Sequence, residues 1–261
     1  MDKQKIQHYG DELFEALRGR KAVAPITERE SDFSIEDAYH ISTRLLERRV
    51  AEGERVIGKK IGVTSKAVQR MLNVHQPDFG YLTDRMLHAN GDALPASTEM
   101  IAPRAEGEIA FILKRDLIGP GVTNAQVLAA TECVMPCFEI VDSRIKDWKI
   151  KIEDTIADNA SCGVFVLGDT ALTPRQFDLV SCGMVMQKNG EVVATGAGAA
   201  ALGSPVNCVT WLANTLGEFG IPLKAGEIIL SGSLVPLLPV APGDHVHVSI
   251  GGLGTASVRF A

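Results

Sequence analysis

The chain has 261 residues, 46% of them apolar and 22% charged, so it can bury a large aliphatic core and is neither disordered nor fibrous. Its 32 Asp+Glu against 26 Lys+Arg leave a formal charge of −6, which argues against a nucleic-acid partner. Five cysteines, an odd number in a long chain with no C-x-x-C spacing, predict reduced thiols rather than a disulfide framework.

Ile6, Tyr9, Leu13, Phe14 and Leu17 recur at helical spacing and predict a first helix. A second opens at Ser34, where Asp37 completes a capping-box pattern; Ala38, Ile41, Leu45, Leu46 and Val50 make its buried stripe. Arg55–Val63 reads as a strand, and Glu106–Leu113 alternates as another. After the turn at Gly119-Pro120-Gly121 the pattern predicts a helix capped by Thr123 or Asn124 and ending near Pro136, then a strand over Cys137–Ser143. Met184–Lys188 and Glu191–Ala194 flank Asn189-Gly190, a strong hairpin signal. Ser204-Pro205 opens a helix to about Leu216, and Glu227–Ser231, His245–Ile250 and Thr255–Phe260 close the chain as strands. Strands outnumber helices after residue 100 and the hairpin implies antiparallel pairing, so the expected fold class is α+β. A single domain over 1–261 is expected, with 1–100 as a candidate smaller packing unit.

The uncharged run Val192–Gly217 is long enough to cross a bilayer, but its glycines, asparagines and Pro205 exclude a membrane helix. Met1–Lys5 runs straight into an amphipathic stretch, which predicts a soluble, cytoplasmic protein with no membrane partner. Two nucleotide-like motifs are refused. Gly53–Lys60 lacks the hydroxyl that a P-loop needs and runs from helix to strand; it reads as a turn. Gly196-Ala197-Gly198-Ala199-Ala200-Ala201 matches a dinucleotide fingerprint but follows a hairpin strand, and Gly203-Ser204-Pro205 breaks any helix. Close approach of its backbone to a neighbour or ligand is expected instead.

Glu106 and Glu108, at i and i+2 on a strand, project from one face roughly 7 Å apart. The opposite face carries Ile109, Phe111 and Leu113 and must be core. Glu139 also sits among apolar strand neighbours. Three such carboxylates without His or Cys ligands suit a hard divalent ion, Mg²⁺ or Mn²⁺; a solvated glutamate pair at a strand end is the alternative from spacing alone. His245 and His247 share a strand face, but Val246 and Val248 define its buried side, so the histidines are expected in solvent.

The segments Gly58–Ser65, Arg104–Ala110, Phe138–Arg144 and Ala157–Ser161 resemble the fumarylacetoacetate hydrolase superfamily. The whole chain is similar to its hydratase/decarboxylase branch and, within it, to the 2-hydroxypenta-2,4-dienoate (2-oxopent-4-enoate) hydratases of aromatic meta-cleavage pathways. Val74–Leu82, with Asp78, and Ser231–Pro236 have the hydratase form rather than that of the family's 4-oxalocrotonate decarboxylases. The resemblance implies a mixed β-sheet roll or sandwich with flanking helices and a small N-terminal helical part. It implies a hydro-lyase that makes 4-hydroxy-2-oxopentanoate, with Glu106, Glu108 and Glu139 on the metal. Lys60 is then placed at the enolate oxygen, Asp78 as the acid/base, Ser161 near substrate, and the Ser231-Gly232-Ser233 turn at the substrate carboxylate. Homo-oligomers and a complex with 4-oxalocrotonate decarboxylase are implied as partners. The decarboxylase, a C–C hydrolase of the wider superfamily and a non-catalytic scaffold subunit are the alternatives; inward-facing, mutually repelling carboxylates argue against a scaffold.

Overall fold

The computed structural model describes residues 1–71 and 73–261. Helices α1 (Lys3–Gly19) and α2 (Ile35–Ala51) pack together, with Asp2 capping the first and the Ser34/Asp37 capping box closing the second. Tyr9, Leu13, Phe14, Ala38, Ile41 and Leu45 bury their shared face against Ile152 and Ile156 of a later helix. The expected stripe is wrong at its end. Val50 is exposed, and Arg49 turns inward instead to pair with the buried Glu54 (2.8 Å) and to bond Thr83.

Next come β1 (Val56–Gly62), α3 (Lys66–Met71), β2 (Asp78–Thr83), β3 (Leu87–His88), β4 (Ala93–Leu94), α4 (Ala96–Glu99) and the long strand β5 (Pro103–Leu113). Helix α5 (Asn124–Ala130) leads into β6 (Thr131–Asp142), α6 (Ile152–Ala157) and β7 (Cys162–Leu167). Hairpin β8 (Gly183–Lys188) and β9 (Glu191–Ala197), helix α7 (Pro205–Glu218), then β10 (Ile228–Leu230), β11 (Leu238–Pro239), β12 (His245–Ile250) and β13 (Gly254–Phe260) complete the chain. The helix expected to reach Pro136 stops at Ala130, because Thr131–Asp142 pairs with β5 along nearly its whole length. Pro136 costs that ladder one donor, while its carbonyl still accepts from Gly168 N–H at 2.8 Å.

Among the described residues the strands form two sheets. The larger runs β2-β1-β10-β5-β6-β7-β3, with β11 also paired to β5; the smaller runs β4-β13-β12-β8-β9. Neighbours are antiparallel except β1/β10, β3/β7 and β4/β13. This mixed α/β architecture fits the expected class. The main core lies between the sheets and under α7: Ile109, Phe111 and Leu113 of β5 face it, as do Met184, Met186, Val246 and Val248. Gly107, between the two glutamates, lies against the smaller sheet, where a Cβ would sit 2.7 Å from Met184 Sδ.

The larger sheet also curls on itself. Leu82, Ala110, Cys137, Cys162, Phe165, Ile228 and Leu230 form a separate apolar cluster inside the curl, so β2, β10, β5, β6 and β7 all line one interior. The strand positions that alternate into this interior include Lys60, Asp78, Glu106, Glu108 and Glu139. The fold is a roll, apolar at one end and acidic at the other.

The refused motifs are ordinary structure. Gly53 (φ +90°) turns the chain from α2 towards β1, and Gly196 and Gly198 lie so close to the Leu234 and Leu179 carbonyls that a Cβ would overlap them. No described helix is long and apolar enough to cross a membrane.

Gly58 faces the roll, and a Cβ there would overlap the Ile228 carbonyl of the adjacent strand. Gly58→Ala is therefore expected to lower unfolding free energy by about 1–3 kcal/mol, read from the denaturant midpoint. Gly19→Ala, where a Cβ meets open space, should leave that midpoint unchanged or slightly raised.

Candidate metal centre

Pairing of β5 with β6 sets Glu106 directly opposite Glu139, while Glu108 lies opposite Cys137 and diagonal to Glu139. One carboxylate oxygen from each of the three lies within 4.8 Å of the others. Glu108 and Glu139 are wholly buried, so the alternative of a solvated pair is excluded for this site. Glu108 Oε2 accepts from the Gly232 N–H at 2.8 Å. Its Oε1 and both Glu139 oxygens have no hydrogen bond among the described residues. Lys60 Nζ comes within 3.1 Å of Glu139 Oε1 but directs its hydrogen bond to the Ala160 carbonyl at 2.9 Å. The contact is ionic rather than a well-aimed hydrogen bond.

Burial raises all three acids; repulsion from Glu139 adds to the rise at Glu106, pushed up to about 8, and at Glu108, whereas at Glu139 Lys60 opposes it. Burial opposes the charge on Lys60, but Glu139, Asp78 and Glu106 outweigh it and hold the ammonium above the ordinary lysine range. One cation cannot satisfy three carboxylates whose oxygens lack donors. A divalent cation fits this arrangement: the donors are all carboxylate oxygens, three converge, and Glu108 Oε1 and both Glu139 oxygens have no hydrogen-bond donor among the described residues. Cys137 and Cys162 do not change that character, because burial and nearby carboxylates push both thiols well up and keep them protonated.

The remaining expected residues divide. Lys60, Asp78, Glu106, Ser161 and Ser233 line one cavity of about 710 Å³. Asp78 is 1% exposed, opens β2 opposite Gly62, and its Oδ1 has no partner among the described residues. A Cβ on Gly62 would overlap Asp78 Oδ1 and sit 3.2 Å from Lys60 Nζ, so Asp78 and Lys60 close over that glycine. Ser161 Oγ lies 3.1 Å from Thr155 Oγ1 and 3.4 Å from Asp158 Oδ2. The 231–233 turn departs from expectation. Ser231 is fully buried, with both its N–H and its hydroxyl donated to the Ile109 carbonyl, and the Gly232 N–H is given to Glu108. The Ser231 donors are thus spent on a backbone carbonyl and the Gly232 N–H on the Glu108 carboxylate, so none of the three is free. Only Ser233 reaches the cavity.

Sequence reasoning gave supporting or turn roles to Asp142, Asp158 and Asn159 but none to Arg144, which organises the support beneath Lys60. Arg144, 1% exposed, bonds both the carboxylate and the carbonyl of Asp158 and the carbonyls of Asp142 and Cys162. It thereby fixes Asn159, Ala160 and Ser161, whose φ values of +53°, +50° and +54° are left-handed. Asn159 clamps β2, accepting from Tyr81 N–H (2.8 Å) and donating to its carbonyl (3.0 Å), over Gly80, where a Cβ would overlap the Asn159 carbonyl. The signal was the glycine spacing: Gly58, Gly62 and Gly80 flank Lys60 or pair with it on the inward face.

The family described as fumarylacetoacetate (FAA) hydrolase C-terminal matches residues 49–261. A 2-hydroxypent-2,4-dienoate hydratase from Pseudomonas putida is 73% identical over 221 residues, 85% of this chain and all of that protein. A 2-hydroxyhexa-2,4-dienoate hydratase from Comamonas testosteroni is 60% identical over 99% of this chain and 98% of its own length. Among solved structures, the 4-oxalocrotonate decarboxylase from Pseudomonas putida G7, complexed with magnesium and adipate, gives a TM-score of 0.97 at 35% identity, covering 100% of this chain and 99% of that one.

Raising Glu106 from an ordinary value near 4.5 to about 8 has a defined sign. The neutral acid is favoured by folding, so its contribution is present below the unfolded value and lost as pH rises through the folded one. Metal-free protein should therefore lose thermal stability between about pH 4.5 and 8. Mn²⁺ should restore it most at the upper end, and its binding at pH 7 should release protons. Melting curves with and without Mn²⁺, and calorimetry in two buffers of different ionisation enthalpy, check this. Proton-neutral binding would contradict it.

Proposed function

The chain belongs to the fumarylacetoacetate hydrolase family, and from that membership we propose a metal-dependent hydro-lyase that converts 2-hydroxypenta-2,4-dienoate and water into 4-hydroxy-2-oxopentanoate. The observation that carries the mechanism is the buried Asp78 carboxyl, lacking a partner on Oδ1, beside Lys60 on the wall of the acidic centre. Its chemistry is acid–base, which conjugate hydration requires.

Water does not add to an electron-rich dienol, so the dienol must first become the α,β-unsaturated 2-oxo acid. Burial raises Asp78 above the usual carboxylate range, with Lys60 opposing the shift. A carboxyl held neutral in this way can deliver its proton to C5 while the C2 hydroxyl gives its proton to solvent water, which returns one at C3 in the second step. Asp78, now a carboxylate, then accepts a proton from water as the water oxygen bonds C4. The electron pair moves to the C2 oxygen, and protonation at C3 gives the product. Lys60 faces the oxygen that gathers charge in both steps, held there by the Ala160 carbonyl and Glu139. Glu106, Glu108 and Glu139 would hold the divalent ion, Mg²⁺ or Mn²⁺, which supplies Lewis-acid stabilisation of the C1 carboxylate and C2 oxygen. Ser161 and Ser233 shape the cavity wall around the bound acid, with the Ser233 hydroxyl donated to the Val235 carbonyl at 2.6 Å.

The nearly identical backbone of 4-oxalocrotonate decarboxylase keeps one second reading in play, decarboxylation of a six-carbon diacid. Identities of 73% and 60% to hydratases, against 35%, favour hydration. The reading also places the protein in the cytoplasm as a homo-oligomer, a single catalytic domain that docks with the decarboxylase supplying its substrate.

Wild-type enzyme with Mg²⁺ or Mn²⁺ should bleach the conjugated dienol without releasing CO₂. Glu106→Gln should lose roughly 10²–10³-fold or more in metal-dependent kcat with unchanged circular dichroism. Asp78→Asn should lose roughly 10²–10⁴-fold in kcat. Full activity of Glu106→Gln after metal is stripped and restored, or CO₂ release by the wild type from the six-carbon diacid, would sink the scheme.

A further inference from the structure

We propose that Arg104 holds the C1 carboxylate of the substrate and sets its direction in the cavity; the proposal deepens the hydratase reading and rests on it. The Ser231 and Gly232 N–H groups give this anion no donor, because they are consumed by Ile109 and Glu108. Arg104 stands two residues before Glu106 on β5, so Arg104, Glu106 and Glu108 project from the same face of the strand. Arg104 and Glu106 line the same cavity as Lys60 and Asp78.

The guanidinium is presented rather than used up. It stacks on Trp148, 4.2 Å from the ring centroid, and Trp148 is itself anchored by its Nε1–H to the Ala102 carbonyl at 3.0 Å. Stacking on a ring face fixes the plane of the fork and leaves its N–H edges free for a carboxylate. Among the described residues, no carboxylate lies within 4 Å of that guanidinium and none of its N–H groups donates a hydrogen bond, although Asp147 also lines the cavity. Lys60, the other basic side chain in the cavity wall, is paired with Glu139.

Burial then gives the substrate a direction. Arg104 is half-buried at the rim, whereas Lys60 and Asp78 are 2% and 1% exposed at the floor. A 2-hydroxydienoate with its carboxylate on Arg104, beside Glu106, has its C3–C5 tail turned inward. C4 and C5 then meet Asp78, which is where the proton chemistry needs them.

The test uses Arg104→Gln and Arg104→Lys in the metal-loaded full chain, with oxalate as the carboxylate probe. Arg104→Gln should raise KM for the dienoate and weaken oxalate binding by roughly ten- to a hundredfold. Its kcat should fall as well, by roughly tenfold, because a substrate no longer held by its carboxylate presents C4 and C5 to Asp78 in fewer bound states. Arg104→Lys, which keeps the charge without the fork, should recover part of both. Mn²⁺ affinity and melting temperature should not move. Unchanged KM and oxalate affinity in Arg104→Gln would overturn the proposal. So would parallel losses of Mn²⁺ binding and stability, the mark of a structural role. Oxalate titration needs no turnover, so a wild type unable to hydrate the dienoate would count against the hydratase reading while the oxalate result still decides Arg104.

Discussion

Negative charge confined inside a β-roll is the constraint on which the rest of the site depends. Glu108 and Glu139 are wholly buried beside Glu106, and a single ammonium, Lys60, stands among them. Such a cluster is unfavourable in an apolar interior unless cations or protons offset it. The apolar end of the roll closes off water, while the acidic end opens on the cavity. The carboxylates sit on the two longest strands, which a long antiparallel ladder holds in register.

Holding Lys60 and Asp78 against that charge requires a rigid frame. The frame is another buried ionic group, Arg144 with Asp158, whose remaining donors are spent on backbone carbonyls. Three consecutive left-handed residues, none of them glycine, cost conformational energy that this network offsets. The return is the Ala160 carbonyl aimed at Lys60 and the Asn159 amide locked onto β2. Glycines at 58, 62 and 80 clear the space in which these groups meet.

Architecture and chemistry are separable here. A backbone almost superposable on a decarboxylase, in a chain 73% and 60% identical to hydratases, locates the choice of reaction in the side chains of the cavity rather than in the roll. Lys60, Asp78, Arg104 and Ser233 all lie on the wall of that cavity.

Much of this was written locally. The capping box at Ser34, the Asn189-Gly190 hairpin, the proline-led helix at Pro205 and the i, i+2 glutamates follow from periodicity and turn chemistry, which act over a few residues. The motif pattern also singled out Glu106, Glu108, Glu139 and Lys60, which the roll brings together. Where local preference competed with a long-range partner, the sequence misled: Thr131–Pro136 reads as helix, but β5 claims it as strand, and Val50 yields its buried place to Arg49 because Glu54 waits across the turn. The tertiary structure alone decided that Ser231 spends its donors on the Ile109 carbonyl and Gly232 its N–H on Glu108, that Arg144 braces a left-handed turn, and that Arg104 keeps an open guanidinium edge. The reason is physical. Residue type and spacing set which face a side chain leaves the backbone, but what it meets depends on curling the sheet, which brings together groups more than a hundred residues apart.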